Sequence, residues 1–79
     1  NLKKENLEIF EVMVEEGSPL ALKRIEEISL PAGVLLISIL RDNKALIPQG
    51  STELRAGDQI LAILEPGVEE ELTRLFLGG

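Results

Sequence analysis

Val34-Leu35-Leu36-Ile37-Ser38-Ile39-Leu40 is the longest apolar run in the chain, and its length constrains everything around it. Seven residues fall far short of the ~18 that a membrane-crossing helix needs, and the branched side chains favour a pleated strand. The run therefore reads as a central strand covered on both faces. The chain has only 79 residues in which to provide that cover, and 44% of them are hydrophobic. A domain this small buries only about 60% of its unfolded surface. Some Leu, Ile and Val must lie at the surface, which points to a partner face.

Other elements follow from local chemistry. Leu7 to Val14 alternates, with Phe10, Val12 and Val14 on one face and Leu7, Ile9 and Met13 on the other, Glu11 among them. Ser18-Pro19 suits a helix start, and Ala21, Ile25 and Ile28 recur at helical spacing up to Leu30-Pro31. Arg41-Asp42-Asn43-Lys44 reads as a tight hairpin turn, since Asp and Asn tolerate positive φ, and Ala45-Leu46-Ile47 returns as far as Pro48. Gln59 to Leu64 is a further strand, introduced by the Gly57-Asp58 turn. A last helix carries Glu69, Glu70 and Glu71 at its positive end and an apolar stripe of Val68, Leu72, Leu75 and Phe76, ending at Gly78-Gly79. The order β-α-β-β-β-α, with no linker or repeat, predicts one α+β domain over residues 1–79, its small, mostly antiparallel sheet packed on helices.

Function is bounded mainly by exclusion. The chain has no His and no Cys, so Ser-His, Cys-His and cysteine-zinc chemistry are impossible. Eight basic against fourteen acidic residues, net −6, argue against nucleic acid or an anionic membrane face. Neither GxGxxG nor GxxxxGK[ST] occurs. The paired acids Glu15-Glu16, Glu26-Glu27 and Glu69-Glu70-Glu71 read as solvated faces, not as metal ligands. No catalytic residue, metal or cofactor is expected. The polar start Asn1-Leu2-Lys3-Lys4-Glu5-Asn6 has no signal-peptide character, and the lack of an initial Met suggests a piece of a longer protein.

The pieces also occur in a telling order. Ser18-Pro19-Leu20, then Leu30-Pro31-Ala32-Gly33 before an apolar strand, Ile39-Leu40-Arg41 into a hairpin, Ile47-Pro48, and Leu54-Arg55-Ala56-Gly57-Asp58-Gln59-Ile60-Leu61 before a closing helix together resemble the TrkA-C domain, also called the RCK C-terminal domain. The resemblance covers residues 7–77. It implies a TrkA C-terminal domain-like fold and a cytoplasmic regulatory module of potassium or other cation transport proteins, tethered through them to a membrane without inserting. It further implies a homodimer, a Rossmann-type RCK N-terminal domain or transporter subunit as neighbour, and a small regulatory ligand in the dimer cleft. That cleft would be lined by Leu35, Ile37 and Ile39, with Arg41 and Pro48 at its rim.

Two departures bear on this. The family often has Gly-Lys where this chain has Leu22-Lys23. Members that hold a cyclic dinucleotide use an Arg and an Asn where Ser29 and Leu35 stand, which together with the net charge of −6 argues against a dianionic dinucleotide. The competing expectations are a dimerisation module of a transporter or permease with no ligand, and an accessory domain of an enzyme encoded upstream.

Overall fold

The computed structural model describes residues 6–78; the polar opening stretch before Asn6 and the terminal Gly79 lie outside it. Four strands, β1 (Glu8–Met13), β2 (Val34–Arg41), β3 (Lys44–Leu46) and β4 (Gln59–Leu64), form one sheet in the order β1-β4-β2-β3. Every pairing is antiparallel. A C-terminal helix, α1 (Glu69–Leu77), follows β4. The fold class is α+β, as expected, and β2 lies inside the sheet.

The β2–β3 turn takes the form its sequence demands. Asp42 and Asn43 adopt φ of 51° and 64°, the left-handed pair of a two-residue hairpin turn whose twist matches the flanking strands. α1 closes equally well. Gly78 at φ 73° caps it, donating its amide to the Arg74 carbonyl at 2.8 Å.

The first expected helix is reduced to one 3-10 turn, Ile25–Glu27. The cause is visible in the backbone hydrogen bonds. Leu22 N–H donates to the Leu54 carbonyl at 2.7 Å, and Ile25 and Glu26 N–H donate to the carbonyls of Thr52 and Gly50, both at 2.9 Å. Amides committed to the 50–54 loop cannot build a helical ladder. Ser18 accordingly caps no helix of its own. Its hydroxyl donates to the Phe76 carbonyl at 3.0 Å and accepts from the Leu20 amide at 3.2 Å, tying this segment to the end of α1. Ala21, Ile25 and Ile28 still pack against the core, so their spacing served burial without a helix.

The core sits on one side of the sheet. Phe10, Ile39, Ile60, Ala62 and Leu64 point from the strands towards Leu72 and Phe76 of α1, with Val14, Leu20 and Leu54 closing the edges. Full burial of each such aliphatic or aromatic side chain contributes roughly 1.5–3 kcal/mol. Among the described residues nothing covers the opposite side of the sheet, so β2 is not enclosed on both faces.

Candidate functional site

The uncovered side of the sheet is the feature that calls for a function. Strand alternation sets it out: Ile9 and Met13 of β1, Leu61 and Ile63 of β4, and Leu35 of β2 all point away from α1. Ile9 is 67% and Leu35 64% exposed. Isolated exposed Leu or Ile is ordinary, but a face built by neighbouring strands marks an interaction site.

A bulge shapes this face. Leu36 pairs with Ala62 and Ser38 with Leu61, so Ile37 is the extra residue and the alternation of β2 shifts by one there. Downstream of it, Ile39 enters the core, fully buried, and Leu40 faces outward. Of the five residues expected to line a cleft, Leu35 and Ile37 lie exposed on the same strand, but Ile39 lines no surface. The strict period of two that placed 35, 37 and 39 together fails at the bulge.

Arg41 is equally committed. Its Nε and Nη2 donate to the two carboxylate oxygens of Asp58, each at 2.8 Å, and Nη2 also donates to the Glu53 carbonyl at 2.8 Å. The Arg55 amide donates to Asp58 Oδ2 at 2.8 Å as well. Burial pushes the Asp58 carboxyl up, and the hydrogen bonds from Arg41 and the Arg55 amide outweigh it, holding the carboxyl below the ordinary range. Asp58 in turn raises the Arg41 guanidinium. The pair is bidentate, with Asp58 only 1% exposed, and it locks the β2–β3 hairpin to the turn that opens β4. Sequence reasoning gave Gly57-Asp58 a purely geometric role and missed this carboxylate. Pro48 is half-buried just beyond β3.

The concavities are shallow and open. One of about 300 Å³ sits on the outer face at the start of β2, lined by Leu7, Gly33, Val34, Leu35, Ile63 and Glu65. Another, of about 390 Å³, lies against the end of α1 and includes Ser29, Pro31 and Arg74. Ser29 and Leu35, two of the departures singled out in the sequence, therefore line separate clefts. Among the described residues no group of acids is placed to hold a metal, and no helix is long and apolar enough to cross a membrane.

Comparison with known proteins settles the family. The TrkA-C domain pattern matches residues 9–77, nearly the whole chain. This chain belongs to the TrkA-C domain family. Two curated relatives are the Trk system potassium uptake protein TrkA of Mycobacterium tuberculosis (strain CDC 1551 / Oshkosh) and a TrkA homolog of Archaeoglobus fulgidus. The first is 30% identical over 69 residues, 87% of this chain and 31% of that protein. The second is 37% identical over 70 residues, 89% of this chain and 16% of that protein. This TrkA-C domain thus spans a third or less of the relatives it matches. A solved structure described as "Structure of RCK domain with cda" superposes with a TM-score of 0.76 at 19% identity, covering 86% of this chain and 96% of that one. That likeness establishes the fold.

The structure also explains one departure from the TrkA-C pattern. Leu22 sits at φ 72°, in the left-handed region where glycine is free and a Cβ is strained. The family's Gly would fit that conformation without cost.

Proposed function

We propose that this TrkA-C domain is a non-catalytic regulatory and dimerisation domain of a longer cytoplasmic protein that controls potassium or another monovalent cation. The uncovered apolar face carries the reading. A second copy seated there removes Leu35, Ile37, Ile9 and Met13 from water, which is the burial the chain cannot supply for itself. The names of the relatives, both tied to potassium uptake, support the transport context. In that context a Rossmann-type RCK N-terminal domain or a transporter subunit is the adjoining partner.

Regulation follows from population shift. A small ligand held in the cleft between protomers, against Leu35 and Ile37, stabilises one dimer arrangement by its differential affinity and by no more than that. A second reading has its own observation. Arg41, the cation nearest that cleft in the sequence-based expectation, is already neutralised by Asp58 and leaves no ready anion site. On this reading the domain is a dimerisation module without a ligand.

Ile37→Asp tests the interface. At 36% exposure the new carboxylate still reaches water in a monomer, whereas a packed face would bury it. Sedimentation should show dimer association weakened by about 100-fold with the circular dichroism spectrum retained; an unchanged dimer removes the face from consideration. A melting screen over nucleotides and monovalent ions separates the two readings, because any ligand that binds only the native state must raise the transition. No shift across the panel, with a tight dimer, selects the ligand-free module.

A further inference from the structure

Two carboxylates in this fold are laid back over a glycine, and among the described residues only one of them has a cation. Glu26 lies over Gly50, where a Cβ added to the glycine would stand 3.1 Å from Oε1. Its other oxygen, Oε2, accepts from Arg24 Nη1 at 2.7 Å, so this carboxylate is paired where it sits. Glu65 lies over Gly33 more closely still, with a Cβ there placed 2.7 Å from Oε1 and 3.1 Å from the glutamate's own Cβ. The Glu65 amide donates to the Gly33 carbonyl at 2.9 Å, which anchors the residue at that spot. Glu65 has no ion pair among the described residues.

Gly33 serves this arrangement twice. Its φ of 85° favours glycine, and its lack of a Cβ leaves the space that the carboxylate occupies. Gly17, Gly57 and Gly67 share the positive φ, yet nothing lies within 4 Å of their missing Cβ.

The surroundings of Glu65 define what kind of cation fits. It borders the cleft of about 300 Å³ at the start of β2, whose other walls are Leu7, Val34, Leu35 and Ile63 beside Gly33. A hard metal ion takes about six or more oxygen ligands, and this cleft offers a single side-chain carboxylate among apolar walls. An anion would meet that carboxylate with no cation to offset it. At ~30 Å³ for each water-sized group, there is room for about ten non-hydrogen atoms.

We propose that this cleft binds a small organic cation, an alkylammonium whose charge meets Glu65 and whose apolar body lies along Leu35 and Ile63. The site belongs to a single protomer. It names a ligand class for the regulatory reading above and rests on that reading only for what the ligand signals. Neither half of the contact suffices alone. Glu65 is exposed, so an ion pair there contributes little by itself, and the apolar walls are open to water. Together they select: the carboxylate sets the sign of the charge, and the walls favour an apolar body over a hydrated ion.

Three probes of closely matched skeleton test this: isoamylammonium, isoamyl alcohol and isovalerate, each titrated into the isotope-labelled chain. Amide shifts of Gly33, Leu35, Ile63 and Glu65 report the cleft. Isoamylammonium should bind about threefold more tightly than the alcohol, the ratio a partly exposed ion pair allows, with isovalerate weakest. Glu65→Gln should bring ammonium and alcohol within about 1.5-fold, while Glu26→Gln, at the carboxylate already paired, should leave the preference intact. Equal binding of ammonium and alcohol by the wild type overturns the site, as does a preference that survives Glu65→Gln. Binding that emerges only after Lys3→Ala and Lys4→Ala assigns the cleft to the chain's own lysines and overturns an external ligand. Oligomeric state does not enter the readout. A monomer that prefers the ammonium keeps the site and removes the dimer, whereas a dimer without that preference removes the site alone.

Discussion

Asp58 joins two elements through one carboxylate, and its loss should be felt by both. Asp58→Asn keeps the shape but leaves the Arg41 guanidinium, itself only 20% exposed, without its counter-charge. The expected cost is about 2–3 kcal/mol, towards the lower end for a broken buried pair because Arg41 retains some water. That is a fall of roughly 10 °C or more in melting temperature for a domain this size. The pH dependence follows from the lowered Asp58 value. The ion pair's contribution is complete above about pH 5, declines as pH falls through the ordinary Asp value near 3.9, and is lost below the lowered folded value. Wild type and variant should therefore converge in acid, and a constant gap would show that the effect is steric. Leu22 makes the opposite case. Its left-handed backbone costs about 1–2 kcal/mol, its side chain is 71% exposed, and glycine would give back about 0.5–1 kcal/mol in chain entropy. Leu22→Gly should raise the urea midpoint by the equivalent of about 0.5–1 kcal/mol, and a fall would mean that the exposed leucine makes a contact in the dimer.

Elements show how far local sequence rules reach and where they stop. The hairpin was legible because Asp42-Asn43 has a backbone preference that nothing else in the fold opposes. β1 was legible in the same way, from alternation that runs unbroken from Glu8 to Met13. The first helix was not, because tertiary hydrogen bonds from Leu22, Ile25 and Glu26 to the 50–54 loop override a helical spacing of only three apolar residues. The bulge was not legible either, since the run around it is apolar on both faces apart from Ser38 and no Gly or Pro marks the break. That silence displaced Ile39 from the expected cleft to the core and kept Leu40 out of the expectation. The bulge yields a sharp contrast. Deleting Ile37 restores regular pairing, with Leu36 on Ala62 and Ser38 on Leu61, and leaves Ile39 inside. The deletion should fold at a cost of no more than about 2 kcal/mol. An Ala inserted between Ser38 and Ile39 turns Ile39 out to solvent and should cost more than about 3 kcal/mol, enough to abolish a cooperative thermal transition. Equal damage from both changes would mean that the bulge itself is indispensable.

At the scale of the whole molecule, composition determines what kind of signal the domain can receive. The chain holds fourteen acidic and eight basic side chains and neither His nor Cys, so it lacks the residue types that ordinarily change charge between about pH 5.5 and 9. Among the described residues, an apolar core and arginine–carboxylate ion pairs hold the fold, and these give protons nothing to act on in that window. The melting temperature should therefore stay within about 2 °C from pH 6 to pH 9, and the association constant of the proposed dimer should stay within about threefold. Salt behaves differently. With a net charge of −6 on each protomer, two copies repel one another at long range, and raising ionic strength from 0.01 to 0.15 M shortens the screening length from about 30 to about 8 Å. Association should tighten several-fold over that range, chiefly through a faster on-rate, since rim and long-range charges act on encounter. The two measurements together bear on what the domain senses. A domain indifferent to protons near neutrality but responsive to ionic strength fits the regulatory reading proposed above, in which the signal is an ion or a bound ligand. A melting temperature that moved by several degrees between pH 6 and pH 8 would contradict this, since the composition supplies no side chain that ordinarily titrates in that window.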